Sequence, residues 1–155
     1  MVDRKPAFYR YVVQVLWPTL HSVIPDAPRS TVFSETTAYA DYAKLNELIA
    51  DALVAAYRPG DVIWVNDYHL MLVPKLVRAK LPNAIIGFFM HVAFPSSEIF
   101  RCLAGGLDLK SAMNFKANNR NNKPVRESLL RGILGADLVG FQAGDTPYNV
   151  HFIYR

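Results

Sequence analysis

The chain has 155 residues, of which 52% are hydrophobic, and its formal net charge is +4. This length and composition are typical of one globular domain with a sizeable core. No run of about 18 apolar residues predicts a membrane span, and the first residues lead into no signal-peptide core, so we expect a cytoplasmic protein without a membrane partner.

Most of the excess positive charge lies in one segment. Residues 105–123 carry four basic residues against one acidic residue, a balance of +3, so the rest of the chain carries only +1. A nucleic-acid surface needs basic side chains clustered on an ordered face, and elsewhere in this chain charges of opposite sign are interspersed. We therefore expect no nucleic-acid partner.

Apolar periodicity predicts alternating helices and strands, which is the pattern of an α/β fold with a parallel sheet. Proline and glycine mark several of the element ends, and Pro18 is expected to end the first helix. The predicted helices lie at 7–20, 37–57, 70–81, 96–103 and 125–134, with a loop at 21–34. The predicted strands lie at 62–65, 84–90 and 137–141.

Polar residues follow the first two predicted strands directly. The strand at 62–65 is followed by the sequence NDYH, and the strand at 84–90 is followed by His91. Continuous apolar runs suit parallel strands covered on both faces, and such sheets bind ligands beyond the carboxyl ends of their strands. We therefore expect Asp67 and His91 to lie at a binding crevice.

Both residues also have a purely structural interpretation. The two oxygens of Asp67 could hold neighbouring sugar hydroxyls, or the side chain could cap a helix that starts at Tyr68. The imidazole of His91 could donate one hydrogen bond and accept another while neutral near pH 7, or it could serve packing alone.

Several long blocks of this sequence resemble the trehalose-6-phosphate synthase family. They are WVNDYHLMLVP at 64–74, IGFFMHVAFPSSEIFRCL at 86–103 and LLRGILGADLVGFQ at 129–142, and VLWPTLH at 15–21 resembles the block that precedes them. The likeness extends from about residue 8 to residue 142. It implies a Rossmann-like parallel sheet that forms part of the N-terminal domain of a GT-B glycosyltransferase.

The resemblance also implies a reaction and roles for individual residues. The family transfers glucose, with retention, from UDP-glucose to glucose 6-phosphate, giving trehalose 6-phosphate and UDP. Asp67 would contact the sugars, and His91 would contact the donor glucose and help stabilise developing charge. Trp17 would line the acceptor pocket, although its apolar helix equally suits a core tryptophan. Tyr68 would offer its hydroxyl to a sugar or phosphate, and Gln142 would reach the cleft.

Two departures from the family pattern favour a different function. Phe8 stands where active synthases carry a tyrosine that holds the acceptor phosphate, and Val92 and Ala93 replace a Thr-Pro pair. The second hypothesis is therefore a non-catalytic regulatory or structural subunit, whose partners are other subunits of a trehalose synthase complex. Intact Asp67 and His91 favour the enzyme, so both hypotheses stay open.

The predicted organisation is an acceptor-side domain part at 1–142, with an atypical insertion at 105–123, and an atypical tail at 143–155. The asparagine-rich insertion has no sustained apolar period, so we expect it to lie outside the core. The family places a nucleotide-sugar loop before Phe8 and a donor domain after Gln142, so we expect this chain alone to be inactive. No glycine-rich phosphate loop or metal-ligand cluster is visible, and we expect neither a cofactor nor a metal.

Overall fold

The computed structural model of the protein describes residues 5–23, 35–97, 125–142 and 150–154. Most of the loop predicted at 21–34 lies outside the described residues. So do nearly all of the helix predicted at 96–103, the insertion at 105–123 and the tail apart from 150–154.

Helices and strands alternate along the described part of the chain, as the periodicity predicts. The helices are α1 (Lys5–Tyr11), α2 (Trp17–Leu20), α3 (Glu35–Ala56), α4 (Val73–Lys80) and α5 (Val125–Ile133). A π-helical turn (Val12–Leu16) joins α1 to α2, and a 3₁₀ turn (Tyr68–Leu70) precedes α4. The strands are β1 (Val62–Asn66), β2 (Ile85–Met90), β3 (Leu138–Gln142) and β4 (Val150–Tyr154).

The strands form one sheet in the order β1-β2-β3-β4. The first three strands are parallel, with Val62 paired to Ile85 and Gly87 paired to Leu138. This arrangement confirms the predicted α/β fold with a Rossmann-like parallel sheet. The fourth strand runs antiparallel to β3, and the sequence pattern did not predict it.

Pro18 does not end the first helix, contrary to the prediction. The chain widens into the π-helical turn, in which the N–H of Trp17 donates to the carbonyl of Val12, and α2 then continues to Leu20. Pro18 therefore falls in the first turn of α2, directly after the π-helical turn. The local change in helix type is what accommodates the proline.

The core lies between one face of the sheet and the helices. On β1, Ile63 and Val65 are buried, whereas Val62 and Trp64 are exposed. The expectation that both faces are covered is therefore wrong for β1 among the described residues. On β2, the burial pattern shows coverage on both faces, because four of its six residues are buried.

Arg78 of α4 ties three elements together near the start of β2. Its guanidinium donates to the carbonyls of Pro82 at 2.7 Å and Ala84 at 2.6 Å, and to the carboxylate of Asp137 at 2.7 Å. The same oxygen of Asp137 accepts from the N–H of Ile86 at 2.8 Å. A part-buried, multiply bonded pair of this kind fixes the register of strands more firmly than an exposed ion pair does.

No helix in the described ranges has the length and hydropathy needed to span a bilayer.

Candidate functional site

Three of the predicted site residues lie at the same edge of the sheet. Asp67 directly follows β1, His91 directly follows β2, and Gln142 is the last residue of β3. These strands are parallel neighbours, so their carboxyl ends lie at one edge of the sheet, where folds of this kind bind ligands. Gln142 is half-buried and is paired with Val150 of β4.

Asp67 has an unusual backbone conformation, with φ 68° and ψ 167°. This region is almost restricted to glycine, and other residues occupy it at a cost of about 1–3 kcal/mol. The N–H of Asp67 donates to the carbonyl of Phe89 at 2.7 Å, which extends the β1–β2 ladder beyond the strand. Such strain persists where the surroundings impose it, and it is concentrated at functional sites.

The side chain of Asp67 is the cap that the structural interpretation expected. Its Oδ1 accepts from the N–H of Tyr68 at 2.9 Å, at the start of the 3₁₀ turn. A carboxylate has two oxygens and several lone pairs, so one cap bond leaves acceptor capacity for another partner. Capping and ligand binding are therefore compatible at this half-buried side chain, and the sugar-binding role stays a prediction.

His91 is exposed and lies against the end of β1. Its Nε2 is 3.4 Å from Oδ1 of Asn66, and its ring meets that of Phe89 edge-on, with the centroids 4.8 Å apart. The same oxygen of Asn66 accepts from Nε1 of Trp64 at 3.3 Å. An amide oxygen only accepts, so this contact requires the tautomer of His91 that carries its proton on Nε2. Asn66 is a neighbour of the site that sequence reasoning did not identify.

A row of aromatic rings joins the end of the first helical region to the turn after β1. Trp17 stacks on His21 with centroids 4.6 Å apart, and His21 meets Tyr68 edge-on at 6.2 Å. Tyr68 in turn stacks on His69 at 4.6 Å. The row thus brings the predicted residues Trp17 and Tyr68 near each other, with His21 between them.

Trp17 and His21 form the exposed end of this row. Trp17 is 44% exposed, so the core interpretation of this tryptophan is wrong. His21 is exposed, and its Nδ1 lies 2.7 Å from the carbonyl of Trp17, which fixes the ring. One face of the Trp17 indole is covered by His21, and the remaining exposed surface of this aromatic ring is of the kind that packs against the apolar side of a sugar ring.

Tyr68 is 8% exposed, and burial raises the pKa of its hydroxyl, with the nearby Asp67 carboxylate adding to the effect. The phenol therefore stays protonated and keeps its donor at neutral pH.

Within the described residues, no group of three or more His, Cys, Asp or Glu side chains could hold a metal ion.

The fold and the strand-end residues show the class of this protein. It is a Rossmann-like α/β domain of the GT-B type, with polar groups at the carboxyl ends of its parallel strands. The family model of glycosyltransferase family 20 matches residues 3–110. The chain belongs to this family, as the motif blocks indicated.

Two relatives and one solved structure illustrate the likeness. The trehalose synthase complex regulatory subunit TPS3 of Saccharomyces cerevisiae is 48% identical over 149 residues, which are 96% of this chain and 12% of that protein. The alpha,alpha-trehalose-phosphate synthase (UDP-forming) of Pichia angusta is 40% identical over 144 residues, covering 90% of this chain and 25% of that protein. The structure of the Candida albicans trehalose-6-phosphate phosphatase N-terminal domain is 40% identical with a TM-score of 0.69, covering 92% of this chain and 26% of that chain. The chain thus spans about a quarter or less of the length of these proteins.

Proposed function

We propose that this chain forms the acceptor side of a glucosyl-transfer site that binds glucose 6-phosphate. The observation that carries the proposal is the strained backbone of Asp67 at the carboxyl end of β1. Strain of this size is kept where the position of a side chain matters more than local stability. Asp67 is the acidic residue that directly follows β1, and its carboxylate accepts from the backbone N–H of Tyr68, whose ring belongs to the aromatic row.

The chemistry of acceptor binding follows from these side chains. The free lone pairs of the Asp67 carboxylate accept hydrogen bonds from sugar hydroxyls and fix their orientation. The exposed faces of Trp17 and His21 cover the apolar side of the pyranose, and the protonated hydroxyl of Tyr68 is available as a donor. Gln142, at the end of β3, supplies a further amide to the cleft.

The proposed reaction moves glucose from UDP-glucose to the anomeric hydroxyl of glucose 6-phosphate. The bond between the donor anomeric carbon and the UDP oxygen breaks, a bond to the acceptor oxygen forms, and the acceptor proton leaves with UDP. The Nε2–H of His91 makes only a long contact of 3.4 Å with Asn66, and by exchanging this contact for one with the donor glucose it is suited to stabilise developing charge without acting as a strong base. A cytoplasmic location belongs to the same proposal, since a chain with one cysteine suits a reducing compartment.

A second candidate is a non-catalytic subunit of a trehalose synthase complex. Phe8 supports it, because its ring stacks on Tyr42 at 5.7 Å and has no hydroxyl for a phosphate. Val92 and Ala93, and the 48% identity to the regulatory subunit from S. cerevisiae, point the same way. The partners in this case are other subunits of such a complex.

UDP release separates the two candidates. Because this chain alone is expected to be inactive, the assay uses the chain joined to a donor domain of the same family. The enzyme then releases UDP from UDP-glucose only when glucose 6-phosphate is present, and Asp67→Asn abolishes this release while keeping the cap, since an amide oxygen also accepts from the N–H of Tyr68. The regulatory subunit releases none but increases the UDP release of a catalytic synthase mixed with it. An absence of both effects would contradict both candidates.

A further inference from the structure

Two buried polar side chains of α3 lie directly beneath the turn that follows Asp67. Tyr42 and Asn46 are one helical turn apart, and both are 0% exposed. Their neighbours along the same face, such as Ala38 and Ala50, are apolar. Asn46 is the buried polar residue of the described core, and a buried amide is costly unless its groups are hydrogen-bonded.

These two side chains bond to the backbone of the turn. The hydroxyl of Tyr42 donates to the carbonyl of Tyr68 at 2.9 Å and accepts from the N–H of Met71 at 3.2 Å. The amide of Asn46 donates to the carbonyl of His69 at 3.1 Å and accepts from the N–H of Leu72 at 3.2 Å.

Four backbone groups between residues 68 and 72 are therefore held by another helix. A tight 3₁₀ turn followed by an N-terminal helical turn leaves such groups without local partners. An isosteric apolar pair on α3 would fill the same space but would leave all four groups buried and unbonded. The bonds thus specify the path of the turn, beyond filling the core.

The opposite side of the turn is also constrained by close packing. A Cβ at Gly132 of α5 would lie 2.3 Å from the carbonyl oxygen of Met71. The turn therefore lies between Tyr42 and Asn46 of α3 on one side and the backbone of α5 at Gly132 on the other. On its N-terminal side, the N–H of Asp67 is bonded to Phe89. A backbone restrained at both ends in this way can retain an unfavourable φ.

We propose that Tyr42 and Asn46 are positioning residues that hold Asp67 in its strained conformation and so aim its carboxylate into the crevice. Neither side chain reaches the crevice itself, because both are fully buried beneath the turn. They act through the carbonyls and N–H groups of residues 68–72. The consequence for ligand binding rests on the proposed function, whereas the consequence for Asp67 does not.

The ligand-free test uses the full chain and the variant Tyr42→Phe, which removes one hydroxyl and keeps the ring. We expect the amide of Met71 to exchange with solvent at least ten-fold faster relative to core amides of β2. We also expect Asp67 to lose the strong amide-to-Hα cross-peak that a positive φ produces in NMR spectra. Tyr39→Phe is the matched control, because Tyr39 lies on the same helix and its hydroxyl bonds to Ser128. It should change neither signal.

The ligand test measures the affinity of the same variants for glucose 6-phosphate by calorimetry. Tyr42→Phe should weaken binding at least three-fold, and Tyr39→Phe should not. The more severe variant Asn46→Leu should weaken binding further, provided that the variant folds. If it does not fold, the result for Tyr42→Phe decides the test. An unchanged Asp67 signal in Tyr42→Phe would overturn the proposal, as would a changed signal with unchanged affinity. If the wild-type chain does not bind glucose 6-phosphate, the proposed function fails, and the ligand-free test alone decides the role of Tyr42.

Discussion

Asp67 has backbone dihedral angles that an aspartate does not favour. An aspartate accepts a φ of 68° only when its neighbours impose it, and here its N–H is bonded to Phe89 while Tyr42 and Asn46 bond to the turn that follows it. Only Oδ1 of the carboxylate carries the cap bond, so acceptor capacity is left for the ligand that we propose. The strained backbone lowers local stability but fixes the direction of this side chain.

The first prediction compares Asp67→Gly with Asp67→Ala. Both changes remove the cap, but glycine adopts this conformation freely whereas alanine keeps strain of about 1–3 kcal/mol. Glycine loses about 0.5–1 kcal/mol through its more flexible unfolded chain. We therefore expect the glycine variant to be the more stable of the two, by up to about 2 kcal/mol, in urea unfolding.

The matched control is the same pair of substitutions at Asp51, an exposed residue in the regular helix α3. There the order should reverse, because glycine is about 1 kcal/mol less favourable than alanine in a helix interior. An alanine variant more stable than the glycine variant at both positions would show that Asp67 is not strained.

The second prediction concerns Phe8, which packs against Tyr42 and lacks the hydroxyl that the family resemblance associates with phosphate binding. Phe8→Tyr should strengthen binding of glucose 6-phosphate by about 0.5–1.5 kcal/mol, the net contribution of one hydrogen bond. Calorimetry measures this change. Tyr9→Phe, an exposed neighbour on α1, serves as the control and should leave the affinity unchanged. An unaltered affinity in Phe8→Tyr would favour the regulatory candidate.

At the scale of elements, the sequence predicted the helices and strands whose apolar residues are regularly spaced. The strands β1 to β3 and the helices α3 and α5 follow from apolar spacing, with bounds within one or two residues of those observed. The strand-end pattern singled out Asp67 and His91, and the family blocks supplied the roles expected for them. The π-helical turn was not predictable, because Pro18 ends most helices and only the preceding change in helix type avoids that result.

The polar pair on α3 was missed for a different reason. Tyr42 fits the apolar face of its helix, and nothing in the spacing shows that its hydroxyl meets a backbone 26 residues away in sequence. Asn46 gave one usable signal, since it occupies a core-facing position four residues after Tyr42. A polar residue in that position implies a buried partner, but only the tertiary structure identifies it.

The third prediction tests the packing of α5 against the turn after β1. Gly132→Ala should destabilise the chain by about 1–3 kcal/mol, because the new Cβ meets the backbone of Met71 and Leu72, which cannot rotate away. This cost outweighs the gain of roughly 1 kcal/mol that alanine brings to a helix. Arg131→Ala, an exposed change on the same helix, should alter the free energy of unfolding by less than about 0.5 kcal/mol. A stabilised Gly132→Ala variant would contradict the close approach of these elements.

At the scale of the whole molecule, buried tyrosines make stability sensitive to alkali. Burial raises the pKa of Tyr42 well above the ordinary value of 10.0, and it also raises the pKa values of Tyr39 and Tyr68. Near pH 10 the unfolded chain releases these protons while the folded chain keeps them. The stabilisation is thus fully present below pH 10 and is lost as the pH rises further.

The fourth prediction follows from this linkage. Unfolding free energies measured between pH 8 and pH 11 should be steady at first and then decline above pH 10. Tyr42→Phe should be less stable than wild type at pH 8, because two backbone groups lose their partner, but it should decline less steeply above pH 10. Parallel profiles for the two proteins would mean that the Tyr42 hydroxyl is not buried in the folded chain.

The central claim is that Asp67 binds the acceptor sugar from the end of β1, and a calorimetric titration with glucose 6-phosphate tests it most directly. The full chain should show saturable binding. Asp67→Asn, which keeps the cap oxygen but removes the charge, should weaken that binding by about 1.5–3 kcal/mol, or roughly 10- to 100-fold. Glucose 6-phosphate that binds the wild type and Asp67→Asn equally well, or that does not bind the wild type at all, would contradict the account.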